Sequence, residues 1–312
     1  MKFSDFEIIL VSKEHCKLPR FKGSTLRGAF GHSFRRLHCS ENCSDCSACS
    51  LKERCVYAYI FETPPPSGVK MLKKYPHAPH PFIIEPPLEE KREYHPGEEL
   101  SYRLILLGKA IKYVPHFIYA FEEMSKRGLG YKRSSFHLVR VYSTNSLGSR
   151  LVYSYQDHIV REEKIFYNEL VFPIPSSLPE RLKILFITPT RLIYNSRLSR
   201  VPEFHILVRS LLRRLSLLSY YHSRGEFTEL DFKSLIDSSL RVKLLSSKVK
   251  WQSWERYSNR QKRKINMGGF IGEAVYSEGW QNFYQLLKIG EIIHIGKGAV
   301  FGLGKYQLVL DF

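Results

Sequence analysis

The sequence predicts an α+β chain of two tandem β-α-β-β-α-β units, the split βαβ order of ferredoxin-like domains. Three observations carry this expectation. Residues 183–193, 203–222, 241–256, 269–276, 280–287 and 299–310 read in turn as strand, helix, a segment containing a strand, strand, helix and strand. The first half runs through the same order, with one cysteine-dense insert after its first helix. One short motif also occurs twice at matching places. Gly128-Leu129-Gly130 precedes a strand at 136–141, and Gly302-Leu303-Gly304 precedes a strand at 306–310.

The elements of the first half follow from pattern. Residues 3–12 (FSDFEIILVS) read as the first strand. Over 23–38, Leu26, Phe30, Phe34 and Leu37 recur at helical spacing, with Ser24 or Thr25 available as a cap. Residues 39–55 are cysteine-dense. Residues 62–98 (TPPPSG, HAPHP, EPPLEEKREYHPGEE) are rich in proline and charge and predict loop around a short strand at 81–85. Residues 100–107 alternate as a strand, and 113–125 suit a helix. The expected organisation is a domain at 1–150, a linker at 151–180 and a domain at 181–312.

Charge narrows the partner. The 312 residues carry 48 Lys and Arg against 30 Asp and Glu, a net charge of +18. Such a chain favours a polyanion, either nucleic acid or an anionic membrane surface. Its 19 Tyr and 20 Phe supply rings for base stacking, although most belong in cores. No run approaches the ~20 apolar residues of a membrane span, and MKFSDFEIIL lacks a signal peptide's apolar stretch. A soluble, cytoplasmic protein is expected, in which disulfides are not. No paired acids or DxD pattern suggest a metal-dependent nuclease. No G-x4-G-K-[ST] spacing suggests nucleotide hydrolysis. A zinc-dependent DNA regulator lacks a recognition helix after a ββ unit or a helix-turn-helix.

The cysteines are the strongest purely chemical signal. Cys39, Cys43, Cys46, Cys49 and Cys55 fall within a short stretch, and Cys16 lies apart. Four thiolates so close in a reducing compartment suit tetrahedral structural zinc, with an iron–sulfur cluster as the alternative. Spacing accepts either Cys39 or Cys43 as the first ligand. Four cysteine ligands leave no open position, so the metal would order the insert and take no part in chemistry.

Basic residues cluster with aromatic ones in the second half. His205, Arg209 and Arg213 recur every four residues on the polar side of a helix. Arg256, Arg260, Lys262, Arg263 and Lys264 follow Trp251 and Trp254, a combination suited to RNA. The loop at 296–304 holds Gly296, Gly298, Gly302 and Gly304 between Lys297 and Lys305. Glycines beside lysines can turn several N–H groups toward one anion, or can simply make a tight entry into a strand.

"LPRFKGSTLRGAFGHSFRRLHC", "DCSACSLKERCVYAYIFE" and "GGFIGEAVYSEG…LLKIGEIIHIGKGAVFGLGKYQL" together resemble the CRISPR-associated repeat-processing endoribonucleases, the sixth Cas family of the RAMP superfamily. The likeness spans the start, the cysteine insert and most of the last 60 residues; it is weak over 62–98 and 144–180. It implies two ferredoxin-like domains that bind CRISPR repeat RNA. It implies one cut per repeat without a catalytic metal, by 2′-hydroxyl attack, leaving a 2′,3′-cyclic phosphate and a 5′-hydroxyl. It points the glycine-rich loop, with its N–H groups, Lys297 and Lys305, toward RNA phosphates. It favours Cys39, Cys46, Cys49 and Cys55 as the metal ligands.

The resemblance also places a catalytic histidine near the first helix, where His32 and His38 qualify. Histidine suits proton transfer near neutral pH. On the helical wheel His32 falls on the polar side, one turn after Gly28 and one turn before Arg36, which could stabilise phosphorane charge. Arg27 is a candidate RNA contact on the same helix. Tyr57 or Tyr59 could replace a histidine. The alternative reading is a non-catalytic RNA-binding subunit of a CRISPR effector complex, possessing the same fold and charge.

Overall fold

The computed structural model describes residues 1–41, 46–63, 78–223, 231–258 and 263–311. They divide into two compact units: Met1–Glu169 with Leu217–Glu226, and Leu170–Ser216 with Phe227–Phe312. No helix among the described residues is long and apolar enough to cross a membrane.

The first unit contains β1 (Lys2–Ser12), α1 (Gly23–His38), β2 (Phe82–Glu85), β3 (Glu99–Leu107), α2 (Val114–Arg127), β4 (Phe136–Asn145) and β5 (Gly148–Ser154). Its sheet order is β2-β3-β1-β4-β5, with every pairing antiparallel. Of the stretch read as a linker, residues 151–154 complete β5, and Asn168–Glu169 pairs with the start of β1.

α1 and α2 pack together, and Phe30 fills the centre of the core. Its ring lies 4.6–5.6 Å from those of Phe34, Phe61, Phe82, Phe117 and Phe121. Leu26, Phe30 and Phe34 are buried as the periodicity requires, but Leu37 is 45% exposed. The inward row continues at four-residue spacing to His38, whose ring packs edge-on against Phe34 at 4.5 Å and turns Leu37 outward. Neither Ser24 nor Thr25 caps α1: the cap position is Lys22, without a side-chain bond.

The second unit contains β6 (Leu182–Thr190), α3 (Phe204–His222, assigned to the first unit from Leu217), α4 (Phe232–Ser239), β7 (Leu244–Gln252), β8 (Glu255–Ser258), β9 (Arg263–Asn266), β10 (Gly269–Tyr276), α5 (Tyr284–Ile293) and β11 (Tyr306–Val309). Its main sheet runs β7-β10-β6-β11, again all antiparallel. β8 and β9 form a separate hairpin. Trp280 is fully buried and donates its indole N–H toward the Pro179 and Glu180 carbonyls.

Both units have their four principal strands and two principal helices in one order, and the repeated Gly-Leu-Gly motif repeats in backbone as well. Gly128 and Gly130 have φ of 86° and 77°, and Gly302 and Gly304 have 81° and 71°. Leu129 and Leu303, between them, are buried. Left-handed glycines cannot continue a strand. The last strand therefore starts at Tyr306, and the expected strand at 299–305 is instead one 3₁₀ turn, Ala299–Phe301, and a tight bend. A Cβ on Gly304 would stand 1.9 Å from the Ile295 carbonyl oxygen. Gly304→Ala is expected to cost about 2 kcal/mol or more, read as a lowered urea midpoint for the second unit.

Candidate active site

His32 lies on the outer side of α1, where packing of Leu26, Phe30 and Phe34 against the sheet leaves it exposed. One turn earlier, a Cβ on Gly28 would meet nothing within 4 Å, so the surface beside His32 is open. Partial loss of water holds the imidazole below its ordinary pKa, and the charges of Arg27, Arg127, Arg133 and Arg35 push it the same way. The histidine is therefore neutral at pH 7 and able to accept a proton.

These arginines come from separate segments. Arg27 and Arg35 lie on α1, and Arg127 ends α2. Arg133 sits in the turn after Gly130 with a left-handed backbone, φ 53°. Paired bonds between Leu129 and Ser134 (2.8 and 3.0 Å) close that turn, with Arg133 N–H donating to the Gly130 carbonyl. Such a rigid turn suits a cation that must keep its place.

The other sequence candidates fall differently. Arg36 is exposed, and its Nε lies 3.6 Å from Glu123 on α2, a carboxylate that Arg127 also faces at 3.8 Å. His38 belongs to the inward row, its ring 4.7 Å from that of His116. Burial, with the charge of His116, lowers its pKa, and its Nε2 has no hydrogen-bond partner. Tyr59 is tied into the interior, its hydroxyl 3.1 Å from His222 Nδ1; burial pushes its pKa upward.

Cys39 follows α1 directly, and Cys49 N–H donates to the Cys46 carbonyl at 3.3 Å. Cys39, Cys46 and Cys55 share one neighbourhood: burial pushes the Cys46 thiol up, and the other two sulfurs add to it. Cys43 lies outside the described residues. Among the described residues, no three His, Cys, Asp or Glu side chains already stand as a metal-holding group. Cys16 is buried elsewhere, its sulfur 3.8 Å from the Leu129 carbonyl.

In the second unit, His205 packs edge-on against Tyr194 at 5.1 Å, and Arg209 lies over the same ring at 6.0 Å. Among the described residues, nothing bonds the buried His205 Nδ1 or Arg209 Nε. Arg213, one turn on, is exposed. Arg256 lies over the Phe301 ring at 4.8 Å, and Arg200 over Trp251 at 5.6 Å. Arg263 and Lys264 are exposed, the latter 3.8 Å from Glu255. Arg260 and Lys262 lie outside the described residues.

The glycine-rich loop corrects one expectation. Several of its N–H groups are already used within the chain. Lys297 N–H donates to Arg191, Gly302 N–H to Ala299 and Gly304 N–H to Pro189, each at a carbonyl, and Lys305 N–H donates to Thr188 Oγ1. These groups cannot also face phosphates. Gly296 and Gly298, at φ 78° and 87°, serve the same tight fold: a Cβ on Gly296 would stand 2.4 Å from the Arg191 carbonyl oxygen. The Lys297 side chain remains exposed.

Residues 1–165 match the AF_1859_N family model, described as an N-terminal domain. Residues 184–306 match the model of the CRISPR-associated endoribonuclease Cas6. An uncharacterized protein of Archaeoglobus fulgidus is 27% identical over 298 residues, 93% of this chain and 92% of its own. A Cas6 product complex matches with a TM-score of 0.59 at 17% identity, over 98% of this chain and 99% of the other. Thermus thermophilus Cas6 matches with a TM-score of 0.54 at 16% identity, over 98% of each chain. A partial Cas6-RT-Cas1–Cas2 complex matches with a TM-score of 0.57 at 10% identity, over 99% of this chain and 46% of that one. The structural likenesses establish a shared mixed α+β fold; the AF_1859_N model spans just over half of the chain, which therefore belongs to that family, and residues 184–306 are similar to the CRISPR-associated endoribonuclease Cas6.

Proposed function

We propose that this protein binds CRISPR repeat RNA with two ferredoxin-like units and cuts the precursor once per repeat. The observation that carries the reading is His32 on an open surface, its imidazole held below the ordinary pKa by partial burial and by the charges of Arg27, Arg127, Arg133 and Arg35. His32 takes the proton of the attacking 2′-hydroxyl. The new oxygen–phosphorus bond expels the 5′-oxygen, which leaves as a 5′-hydroxyl once protonated, and the other product ends in a 2′,3′-cyclic phosphate. Arg27, Arg35, Arg127 and Arg133 hold the phosphate and offset charge that develops on it. No metal takes part in these steps. In the second unit, Tyr194, His205, Arg209 and Arg213, with Arg256 and the hairpin, grip the RNA; the unpartnered nitrogens of His205 and Arg209 are donors or acceptors awaiting a ligand.

The test is cleavage of the repeat RNA from the protein's own genome in excess EDTA, with analysis of the ends. One cut with a cyclic phosphate, lost when a 2′-deoxy nucleotide precedes the cut site, is the expected result. Tight binding without a cut would instead favour an RNA-holding subunit. The rate should rise with pH as His32 loses its proton. Because partial burial, and after it the charges of the arginines, disfavour the imidazolium, that rise centres below the ordinary histidine pKa.

The cysteines fit a structural zinc through Cys39, Cys46, Cys49 and Cys55, with Cys43 as the spare. Burial first, and then the neighbouring Glu62, Cys39 and Cys55, push the Cys46 thiol up, and the spacing of the four cysteines suits tetrahedral zinc. The metal would order the insert and leave the reaction to the arginines and His32. Elemental analysis should find about one zinc per chain, lost in Cys46→Ser; a metal-free wild-type protein of unchanged thermal stability would overturn this assignment.

A further inference from the structure

Arg27 and Arg35 are held in an unusual way. Arg27 lies over the Phe61 ring, with Cζ 4.7 Å from its centroid, and Arg35 lies over the Tyr57 ring at 5.6 Å. Those two rings stack on each other, centroids 5.1 Å apart and planes 17° from parallel. A continuous run of contacts therefore passes from guanidinium to ring, ring and guanidinium. It spans two arginines that are about 12 Å apart along α1, with His32 between them in sequence.

The local backbone builds this stack. Phe61 lies in a single π-helical turn, Ala58–Glu62, closed by Thr63 N–H donating to the Ala58 carbonyl at 2.7 Å. Thr63 takes a left-handed conformation, φ 38°, and its hydroxyl donates to the Tyr59 carbonyl. Single π turns recur at functional positions. α1 makes room in turn: a Cβ on Gly31 would stand 3.1 Å from Arg27 Nη1 and 3.2 Å from Phe61. Phe61 is anchored from behind by Phe30, Phe34 and Phe82. Tyr57 is buried, and Arg35 is further bonded to Cys39.

A guanidinium seated on a ring keeps its charge and planar fork but loses much of its rotational freedom. Less ordering remains to be done when an anion arrives. We propose that Tyr57 and Phe61 are positioning residues of the cleavage site, their stacked rings holding Arg27 and Arg35 beside the scissile phosphate that His32 serves. This rests on the nuclease reading above. It also gives the cysteine-rich insert a role beyond its own stability. The segment just after the last cysteine supplies one wall of the site, and Arg35 ties that wall to Cys39.

The test compares Tyr57→Leu, Phe61→Leu and Tyr57→Phe with wild type in single-turnover cleavage of repeat RNA, with binding measured in parallel. The leucine variants should lose about 10- to 100-fold in rate at saturation, the scale of a misplacement near 1 Å, with affinity changed by less. Tyr57→Phe retains the ring and stays near wild type. With Arg27 and Arg35 no longer fixed near His32, the acidic limb of the pH–rate profile moves to higher pH, a shift that a merely structural role would not produce. Because Phe61 is part of the core, Arg35→Lys supplies an independent arm: it keeps the charge and loses the flat contact with Tyr57, and its rate should fall in the same direction. Folded Tyr57→Leu and Arg35→Lys proteins with wild-type rates and pH profiles would overturn the proposal. If wild type cuts through His32 while they cut equally fast, only the positioning role fails; if wild type does not cut, the nuclease reading fails with it.

Discussion

Replacing His32 with alanine is expected to lower the single-turnover cleavage rate by about 10²- to 10⁴-fold, the usual worth of a positioned proton-transfer group. RNA affinity should change little, because His32 is neutral at pH 7 and the surrounding arginines supply the charge. The fold should not suffer, because the side chain is exposed and Gly28 leaves the neighbouring surface open. The pH–rate profile should also lose its acidic limb, since the group that must be deprotonated is gone. His38→Ala gives a contrast. His38 packs on Phe34 and His116, so its loss should lower stability more than the rate of the folded protein. A variant lacking His32 that cuts at the wild-type rate would move the chemistry elsewhere on the chain.

Phe30→Ala is expected to produce the largest stability change, about 3–5 kcal/mol. The ring is fully buried and touches five others drawn from α1, α2, β2 and the 58–62 turn. No single neighbour can move to fill the void, because each is itself held by the rest. Urea unfolding of the first unit reports the loss, and Phe30→Leu should lie well below it. The same substitution loosens the seat of α1, and so of His32, Arg27 and Arg35. The rate should fall even where the protein is still folded. A loss below about 1 kcal/mol would mean that the aromatic cluster is not the packing centre described here.

The sequence made the elements legible because burial on one face of each helix and strand leaves a periodic trace. The bounds of α1 and β10 are those the sequence predicts, and the Gly-Leu-Gly repeat foretold two matching turns. The main failure has a cause in partners remote in the chain. The glycine-loop N–H groups are satisfied by Arg191, Pro189 and Thr188, more than a hundred residues earlier, and nothing local announces that. Arg35 carries no mark of its own beyond lying three residues after His32 on α1, and Arg127 only its nearness to the Gly128 turn until packing of α1 beside α2 sets its charge against His32. Arg133 had a faint signal, a basic residue closing the Gly128-Leu129-Gly130 turn. Leu37 gave way to His38 because the inward row keeps four-residue spacing to the end of α1.

The central claim is a division of labour: chemistry at His32 in the first unit, grip at His205, Arg209 and Arg213 in the second. Single-turnover cleavage of the protein's own repeat RNA, in EDTA and over a range of protein concentrations, tests it with His32→Ala and Arg209→Ala side by side. The account predicts that His32→Ala lowers the rate at saturation and leaves the half-saturating concentration nearly unchanged. It predicts that Arg209→Ala raises that concentration and leaves the saturated rate near wild type. The reverse pattern, a rate carried by Arg209 and an affinity carried by His32, would contradict it.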